Sequence, residues 1–191
     1  ISKLVKDNQI DIVIHRNGYS QNSRNTLFAK KIAPIQISFL GFPGTMGVDF
    51  VDYIVADKIV IPDENLKYFS EKIIYLPNSY YPTFSERKIS KNKFYRKDLG
   101  IDKESFVFGN FNNSYKISID EITIWMKILT NTSNTFIILL IDEQITRTNL
   151  LEVAKKFKID SNRIKFLNFI NNKDHLSRHQ LIDLYLDTFN V

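Results

Sequence analysis

The sequence contains no cysteine, which excludes disulfides, thiolate metal sites and a cysteine nucleophile. No apolar run approaches the roughly 18 residues of a membrane-spanning helix, so we expect no contact with a membrane. The lack of cysteine is compatible with a reducing compartment, and we expect a cytoplasmic protein. The composition is that of a globular chain, 43% hydrophobic and 25% charged over 191 residues, which is enough apolar material for one large core or two small ones.

The charge balance limits the classes of partner. The net charge is +5, and over the whole chain the lysines are spread and interleaved with acids. Such a distribution does not make a nucleic-acid-binding surface by itself, so we expect no nucleic-acid partner. A mildly basic chain suits a small anionic ligand instead.

The pattern of apolar runs predicts an α/β fold. In the first part, four runs rich in β-branched residues predict strands at 10–15, 34–42, 51–62 and 71–77, with short helical segments at 26–31 and 63–69. Residues 85–105 are charged and poor in core residues. Beyond them we predict strands at 106–109, 135–141, 163–167 and 184–188, and helices at 119–130, 147–157 and 174–185.

This alternation predicts parallel sheets joined by right-handed crossovers, and therefore two Rossmann-like halves. We place the first half at residues 1–90, a charged linker at 91–104 and the second half at 105–191. The chain does not begin with methionine, and it stops on a strand-like run. We therefore expect a piece of a longer protein in which both halves are incomplete.

The stretch "FGNFNNSYKIS" is the first candidate for chemistry, because it joins a predicted strand to a predicted helix. Ser118 and Glu121 have the spacing of a capping box, which predicts a helix that begins at residue 119. Lys116 would add a full positive charge beside the free N–H groups of that helix, an arrangement that suits a diphosphate. The alternative is that Ser118 and Glu121 only cap the helix and Lys116 is solvated.

Two further loops, 17–25 and 40–47, follow predicted strands and would meet the first at the carboxyl edge of the sheets. The second contains three glycines but matches neither a Walker A nor a dinucleotide fingerprint, so a plain tight turn is the favoured interpretation. His175, His179 and Asp183 would share one helix face, which makes a metal site conceivable. We favour a polar contact set for a nucleotide at His175 and Arg178. His15 could face the same cleft, or could equally be a satisfied histidine at the end of its strand.

Six segments together resemble a known family. In chain order they are "NGYSQNSRN", "APIQISFLGFPGTMGVDFVDYIVAD", "YFSEKIIYLPNSY", "FGNFNNSYKIS", "RIKFLNF" and "DHLSRHQLIDLYLDTF". They cover nearly the whole chain and are similar to the bacterial and animal O-linked N-acetylglucosamine transferases of the SPINDLY-like group. The resemblance implies a GT-B glycosyltransferase with two Rossmann-like halves. It also implies inverting, metal-independent transfer of N-acetylglucosamine from UDP-GlcNAc to Ser or Thr hydroxyls of acceptor proteins, without a cofactor.

The resemblance also implies roles for single residues. Lys116 would be the catalytic residue that contacts the donor diphosphate, and Asn113 would bind the same region. The other implied contacts are Leu40 and Gly41 with the donor sugar, Ser20 and Arg24 with the sugar and acceptor, and His175 and Arg178 with the nucleoside.

Some features of the family do not match. Asn172 stands where relatives often have a lysine, so the nucleoside contacts could differ. The family's upstream histidine and its GxTT helix would lie outside these residues, as would upstream tetratricopeptide repeats. The catalytic base is therefore expected outside the chain, and the piece alone is expected to be inactive.

Two alternatives stay open at this point: a protein O-fucosyltransferase that uses GDP-fucose, and a non-catalytic binding or scaffold fragment. The sequence names neither the acceptor proteins nor the oligomeric state.

Overall fold

The chain forms two compact units, Ile1–Ser85 and Glu86–Val191, in a computed structural model that describes residues 1–189. Within residues 1–189, no helix is both long enough and apolar enough to cross a bilayer.

The first unit is built on a parallel sheet of four strands in the order β1-β2-β3-β4. The strands are β1 Ile12–His15, β2 Ile35–Ser38, β3 Tyr53–Ala56 and β4 Lys72–Tyr75. Two short helices, α1 Ser2–Asp7 and α2 Asn25–Phe28, and a 3-10 helix at Asp63–Tyr68 complete the unit. Each predicted strand is present but shorter than its apolar run.

The second unit contains another parallel sheet, in the order β7-β6-β5-β8. Its strands are β5 Phe106–Asn110, β6 Thr135–Leu140, β7 Ile164–Leu167 and β8 Leu184–Tyr185. Its helices are α3 Ile119–Asn131, α4 Gln144–Lys156 and α5 Asn172–Arg178, with 3-10 turns at Arg96–Leu99, Ser114–Lys116, Ser161–Arg163 and His179–Leu181. The predicted α/β class, with two parallel sheets, is confirmed.

Helix α3 begins where the sequence predicts. Ser118 is its N-cap, and both halves of the capping box with Glu121 are formed. Trp125, Met126 and Leu129 are buried against the sheet as expected from their helical spacing. Ile119, predicted for the same face, is instead 60% exposed.

The prediction of one helix over 174–185 is wrong. Helix α5 ends at Arg178, a 3-10 turn follows, and Ile182 is extended. The reason is a tertiary interaction: Asp183 accepts a hydrogen bond from the backbone N–H of Val107 and forms an ion pair with Arg96. Asp183 therefore does not share a helix face with the two histidines, which removes the basis of the metal interpretation.

Residues 91–104, the predicted charged linker, contribute more core than their composition indicates. Ile101 is 2% exposed, and Phe94 and Leu99 pack against the same cluster. Arg96 donates hydrogen bonds to the carbonyl oxygens of Leu181 and Ser105. The stretch therefore contributes three apolar side chains to the core, although most of its residues are exposed.

Candidate functional site

The second sheet has a topological switch point. Strands β6 and β7 lie on one side of β5, whereas β8 lies on the other side. The loops that follow β5 and β8 therefore leave the sheet side by side at its carboxyl edge. Open α/β sheets bind ligands at a switch point of this kind. The loop after β5 is the stretch that the sequence singled out, and the loop after β8 is residues 186–189.

Asparagines hold these two loops together. Asn110 is fully buried and donates a hydrogen bond to the carbonyl oxygen of Leu186 at 2.6 Å. The side chain of Asn112 donates to the carboxylate of Asp187 at 2.7 Å and to the hydroxyl of Thr188 at 3.1 Å. Two of the three asparagines in this loop therefore have a structural role, because they hydrogen-bond to the loop that follows β8.

Glu121 makes the third connection between the loops. It is 1% exposed, and its carboxylate accepts hydrogen bonds from the backbone N–H groups of Ser118 and Phe189, both at 2.7 Å. Hydrogen bonds lower the pKa of Glu121; the largest effect is that of the Ser118 hydroxyl, and the next is that of the Phe189 N–H. The carboxylate therefore stays ionised, so a single side chain caps α3 and fixes the residues after β8.

Lys116 lies in the loop that follows β5, at this switch point. It is the last residue of the 3-10 turn Ser114–Lys116, two positions before the N-cap of α3. Its side chain is half-buried, which differs from a fully solvated lysine. Asn113 begins the same turn and is exposed. A cation and an amide thus stand beside the N-terminus of a 13-residue helix, the arrangement that favours an anion.

His175 and Arg178 form a linked pair on α5. Arg178 is 2% exposed; its Nε donates to His175 Nδ1 at 3.0 Å, and its Nη1 donates to the carbonyl oxygen of Asn168 at 2.7 Å. Burial, followed by the nearby positive charges of Arg178 and His179, lowers the pKa of His175 to about 4. His175 is therefore neutral near pH 7. Because its Nδ1 accepts a hydrogen bond, its proton is on Nε2.

Arg178 itself is less available to a ligand than the sequence indicates. Its side chain packs over the ring of Phe111, 5.6 Å from the ring centroid, and His175 contacts the same ring. Phe111 comes directly after β5, so it connects α5 to the loop of Lys116. The predicted nucleoside contacts of His175 and Arg178 stay predictions.

In the first unit, the loops 16–25 and 40–47 are joined. The N–H of Gly41 donates to the carbonyl oxygen of Arg16 at 2.8 Å, and the hydroxyl of Tyr19 donates to the carbonyl oxygen of Met46 at 2.6 Å. The ring of Tyr19 also contacts Phe42 edge-on. Predicted site residues from both loops are thereby brought to one edge of the sheet, where Ser20 and Arg24 are exposed.

Leu40 has a strained backbone, with a φ of 90° that side-chain-bearing residues rarely adopt. Residues held in such conformations cluster at ligand-binding sites, where the surrounding contacts impose them. Here the imposed contact is the close approach of Gly41 to Arg16. The 40–47 segment is thus more than the plain tight turn favoured from its glycines.

Glu71 is a residue of this edge that sequence reasoning missed. It is 5% exposed, and its carboxylate accepts hydrogen bonds from the N–H of Met46 and the hydroxyl of Thr45. It therefore clamps the 40–47 turn to the beginning of β4. The only signal in the sequence was an acidic residue directly before a strand, which is too common to single out.

His15 is also buried, at the end of β1. It is 3% exposed and stacks on Phe28 with 4.2 Å between the ring centroids. Burial lowers its pKa. The ring serves as core at the end of β1.

Comparison with known proteins gives consistent matches over the whole length. A family model described as "Glycosyl transferase family 41" matches residues 1–90 and 88–190. A probable UDP-N-acetylglucosamine–peptide N-acetylglucosaminyltransferase SEC from Arabidopsis thaliana is 32% identical over 193 residues, which are 98% of this chain and 20% of the relative. A similarly named SPINDLY protein from Eustoma exaltatum subsp. russellianum is 27% identical and covers 99% of this chain and 21% of that protein.

Among solved structures, a mutant of the Thermobaculum terrenum O-GlcNAc transferase superposes with a TM-score of 0.82 at 24% identity. The match covers 98% of this chain and 35% of that one. The likeness confirms the predicted fold class, two Rossmann-like halves of the GT-B type. The chain spans about a fifth of the length of the curated relatives that it matches.

Proposed function

The chain belongs to glycosyl transferase family 41, and we propose that its complete protein transfers N-acetylglucosamine from UDP-GlcNAc to Ser or Thr hydroxyls of other proteins. The names of the relatives support this donor and this acceptor class. The observation that carries the proposal is the position of Lys116, half-buried beside the N-terminus of α3 at the switch point of a parallel sheet.

The proposed reaction is a displacement at the anomeric carbon. The acceptor oxygen forms the new bond while the bond to the diphosphate oxygen breaks, and the electron pair leaves with UDP. Negative charge therefore grows on the diphosphate in the transition state. A fixed cation and N–H donors at that point stabilise the transition state more than the ground state. Lys116 is the proposed cation, and the first turn of α3 supplies the N–H donors.

The remaining residues would bind and orient. Asn113, next to Lys116, is proposed to hold the diphosphate. His175, neutral and protonated at Nε2, would donate to an acceptor atom of the nucleoside, and Arg178 would act by fixing that tautomer.

In the first unit, the donor sugar would lie by Leu40 and Gly41, and Ser20 and Arg24 would contact the sugar or the acceptor. We propose inversion at the anomeric carbon, no metal and no cofactor. The general base, which takes the acceptor proton, is proposed to come from outside these 191 residues, so the piece alone would not turn over. A cytoplasmic location is part of the same proposal.

A transfer assay with two donors tests this function. The complete protein is incubated with acceptor protein and either radiolabelled UDP-GlcNAc or radiolabelled GDP-fucose, and the 191-residue piece serves as the comparison. We expect label in protein only from UDP-GlcNAc and only with the complete protein. Transfer from GDP-fucose would indicate a fucosyltransferase. No transfer from either donor, together with no thermal stabilisation by UDP or GDP, would indicate a scaffold.

A further inference from the structure

The positive charge of the chain is concentrated in one short segment. Residues 87–97, "RKISKNKFYRK", contain six Lys or Arg and no Asp or Glu. In the rest of the chain, Asp and Glu outnumber Lys and Arg by one. The net charge of +5 therefore resides in these eleven residues, although the lysines look evenly spread when the whole chain is considered.

The segment is anchored through alternate residues. The N–H of Ser90 donates to the carbonyl oxygen of Lys173, Asn92 donates to Asp174, and Phe94 and Arg96 pack into the second unit. The residues between the anchors, Lys91, Lys93 and Tyr95, are exposed. Lys97, in the 3-10 turn Arg96–Leu99, is exposed as well. The fold thus holds the backbone and presents a row of three lysines and one tyrosine.

Within residues 1–189, Arg96 is the one cation of this segment that forms an ion pair, with Asp183. Lys97 lies over the ring of Tyr95 at 5.3 Å from its centroid. The remaining charges are therefore available to an anionic partner, although Asp98 follows Lys97 directly in the chain.

Beside this row are two clefts with apolar walls. One has a volume of about 450 Å³ and reaches the buried side chains of Ile101 and Leu181. The other has a volume of about 470 Å³ and is lined by Ile89 and Leu176. Both are bordered by Lys93 and Gln180, so the two clefts are adjacent. We call this pair of clefts the basic groove.

We propose that the basic groove binds an acidic segment of a partner protein that carries apolar side chains between its carboxylates. Charge complementarity with Lys91, Lys93 and Lys97 would attract and orient the segment, and apolar side chains would fill the clefts. A lipid bilayer fits less well, because Ile101 and Leu181 lie buried at the floor of one cleft and only Ile89 and Tyr95 are exposed beside the lysines. Nucleic acid fits less well, because phosphates gain nothing from a floor of Ile101 and Leu181. The proposal does not depend on the glycosyltransferase activity.

The test measures binding of two fluorescent ten-residue peptides to the complete protein. One consists of Glu and Asp with Leu and Phe at its centre, and the other has Ser in place of both apolar residues. The site variant is the triple charge reversal Lys91→Glu, Lys93→Glu and Lys97→Glu. The matched control reverses three other exposed lysines, Lys3→Glu, Lys30→Glu and Lys127→Glu, so both variants have the same net charge.

We expect the site variant to bind the Leu-Phe peptide at least about tenfold more weakly and the control to differ by less than about twofold. The Ser peptide should bind more weakly than the Leu-Phe peptide, and unchanged melting temperatures would show that both variants fold. Equal losses in the two variants would overturn the proposal, because attraction would then be non-specific. Equal binding of the two peptides would also overturn it. Tighter binding of an oligothymidine or of phosphatidylserine vesicles, lost in the site variant, would assign the groove to another class of partner.

Discussion

The close approach of Gly41 to Arg16 gives the sharpest prediction for the first unit. A Cβ atom added at Gly41 would lie 2.3 Å from the carbonyl oxygen of Arg16, 3.3 Å from its carbonyl carbon and 3.4 Å from the Cα of Asn17. All three atoms belong to backbone, so no side-chain rotation can relieve the overlap. In the variant Gly41→Ala the two loops must therefore separate.

The size of the effect depends on the contacts that the separation breaks. The hydrogen bond from the Gly41 N–H to Arg16 is 2.8 Å long and would be lost or stretched, which costs about 1–2 kcal/mol. Displaced backbone adds a similar amount of strain, so we expect a total near 3 kcal/mol. In a chain of this length, that corresponds to a fall in melting temperature of roughly 6–12 °C.

The matched control is Gly44→Ala in the same turn. Its added Cβ would lie 3.0 Å from two ring atoms of Phe42, which is a side chain and can rotate. We expect a cost below about 1 kcal/mol, measured by thermal and urea denaturation of both variants. If the two variants melt within about 2 °C of each other, the inferred contact between the loops is wrong.

Three further predictions concern the second unit. Ser118→Ala should remove the N-cap of α3 and lower the unfolding free energy by about 1 kcal/mol in urea denaturation, and a change of under about 0.3 kcal/mol would contradict the capping box. Gly109→Ala would place a Cβ 2.5 Å from the Cγ2 of Ile182 and should lower the melting temperature. Adding the second substitution Ile182→Ala should restore part of this loss. If the losses of the two substitutions simply add, the contact is refuted. His175 has a pKa of about 4 in the folded state against 6.5 when unfolded. Between these pH values the unfolded chain therefore binds more protons than the folded chain. The free energy of unfolding should fall as the pH drops from 6.5 to 4. The loss is at most about 3 kcal/mol before screening by solvent, and an unchanged slope of stability against pH in His175→Gln would rule out this assignment.

The features that the sequence predicted well are those with local causes. The short apolar runs locate β1 and β5, and the spacing of Ser118 and Glu121 predicts the beginning of α3 to the residue. The order of glycine- and asparagine-rich loops after strands also predicts which segments meet at each sheet edge.

The features that it missed depend on partners distant in sequence. Helix α5 ends early because Asp183 pairs with Arg96, which is 87 positions away. The strain at Leu40 arises from a contact between two loops. The burial of Arg178 against Phe111 cannot be read from a helical pattern in which arginine usually faces solvent.

The role of Lys116 is tested most directly by the variant Lys116→Met in the complete protein, with Lys127→Met on the exposed face of α3 as the control. The measurement is kcat/KM for UDP-GlcNAc, together with UDP affinity and melting temperature. We expect kcat to fall by roughly a hundredfold or more, because the lost cation acts mainly on the departing diphosphate, while melting stays unchanged. A decrease of less than about threefold, or one equal to that of Lys127→Met, would show that the leaving group is stabilised elsewhere.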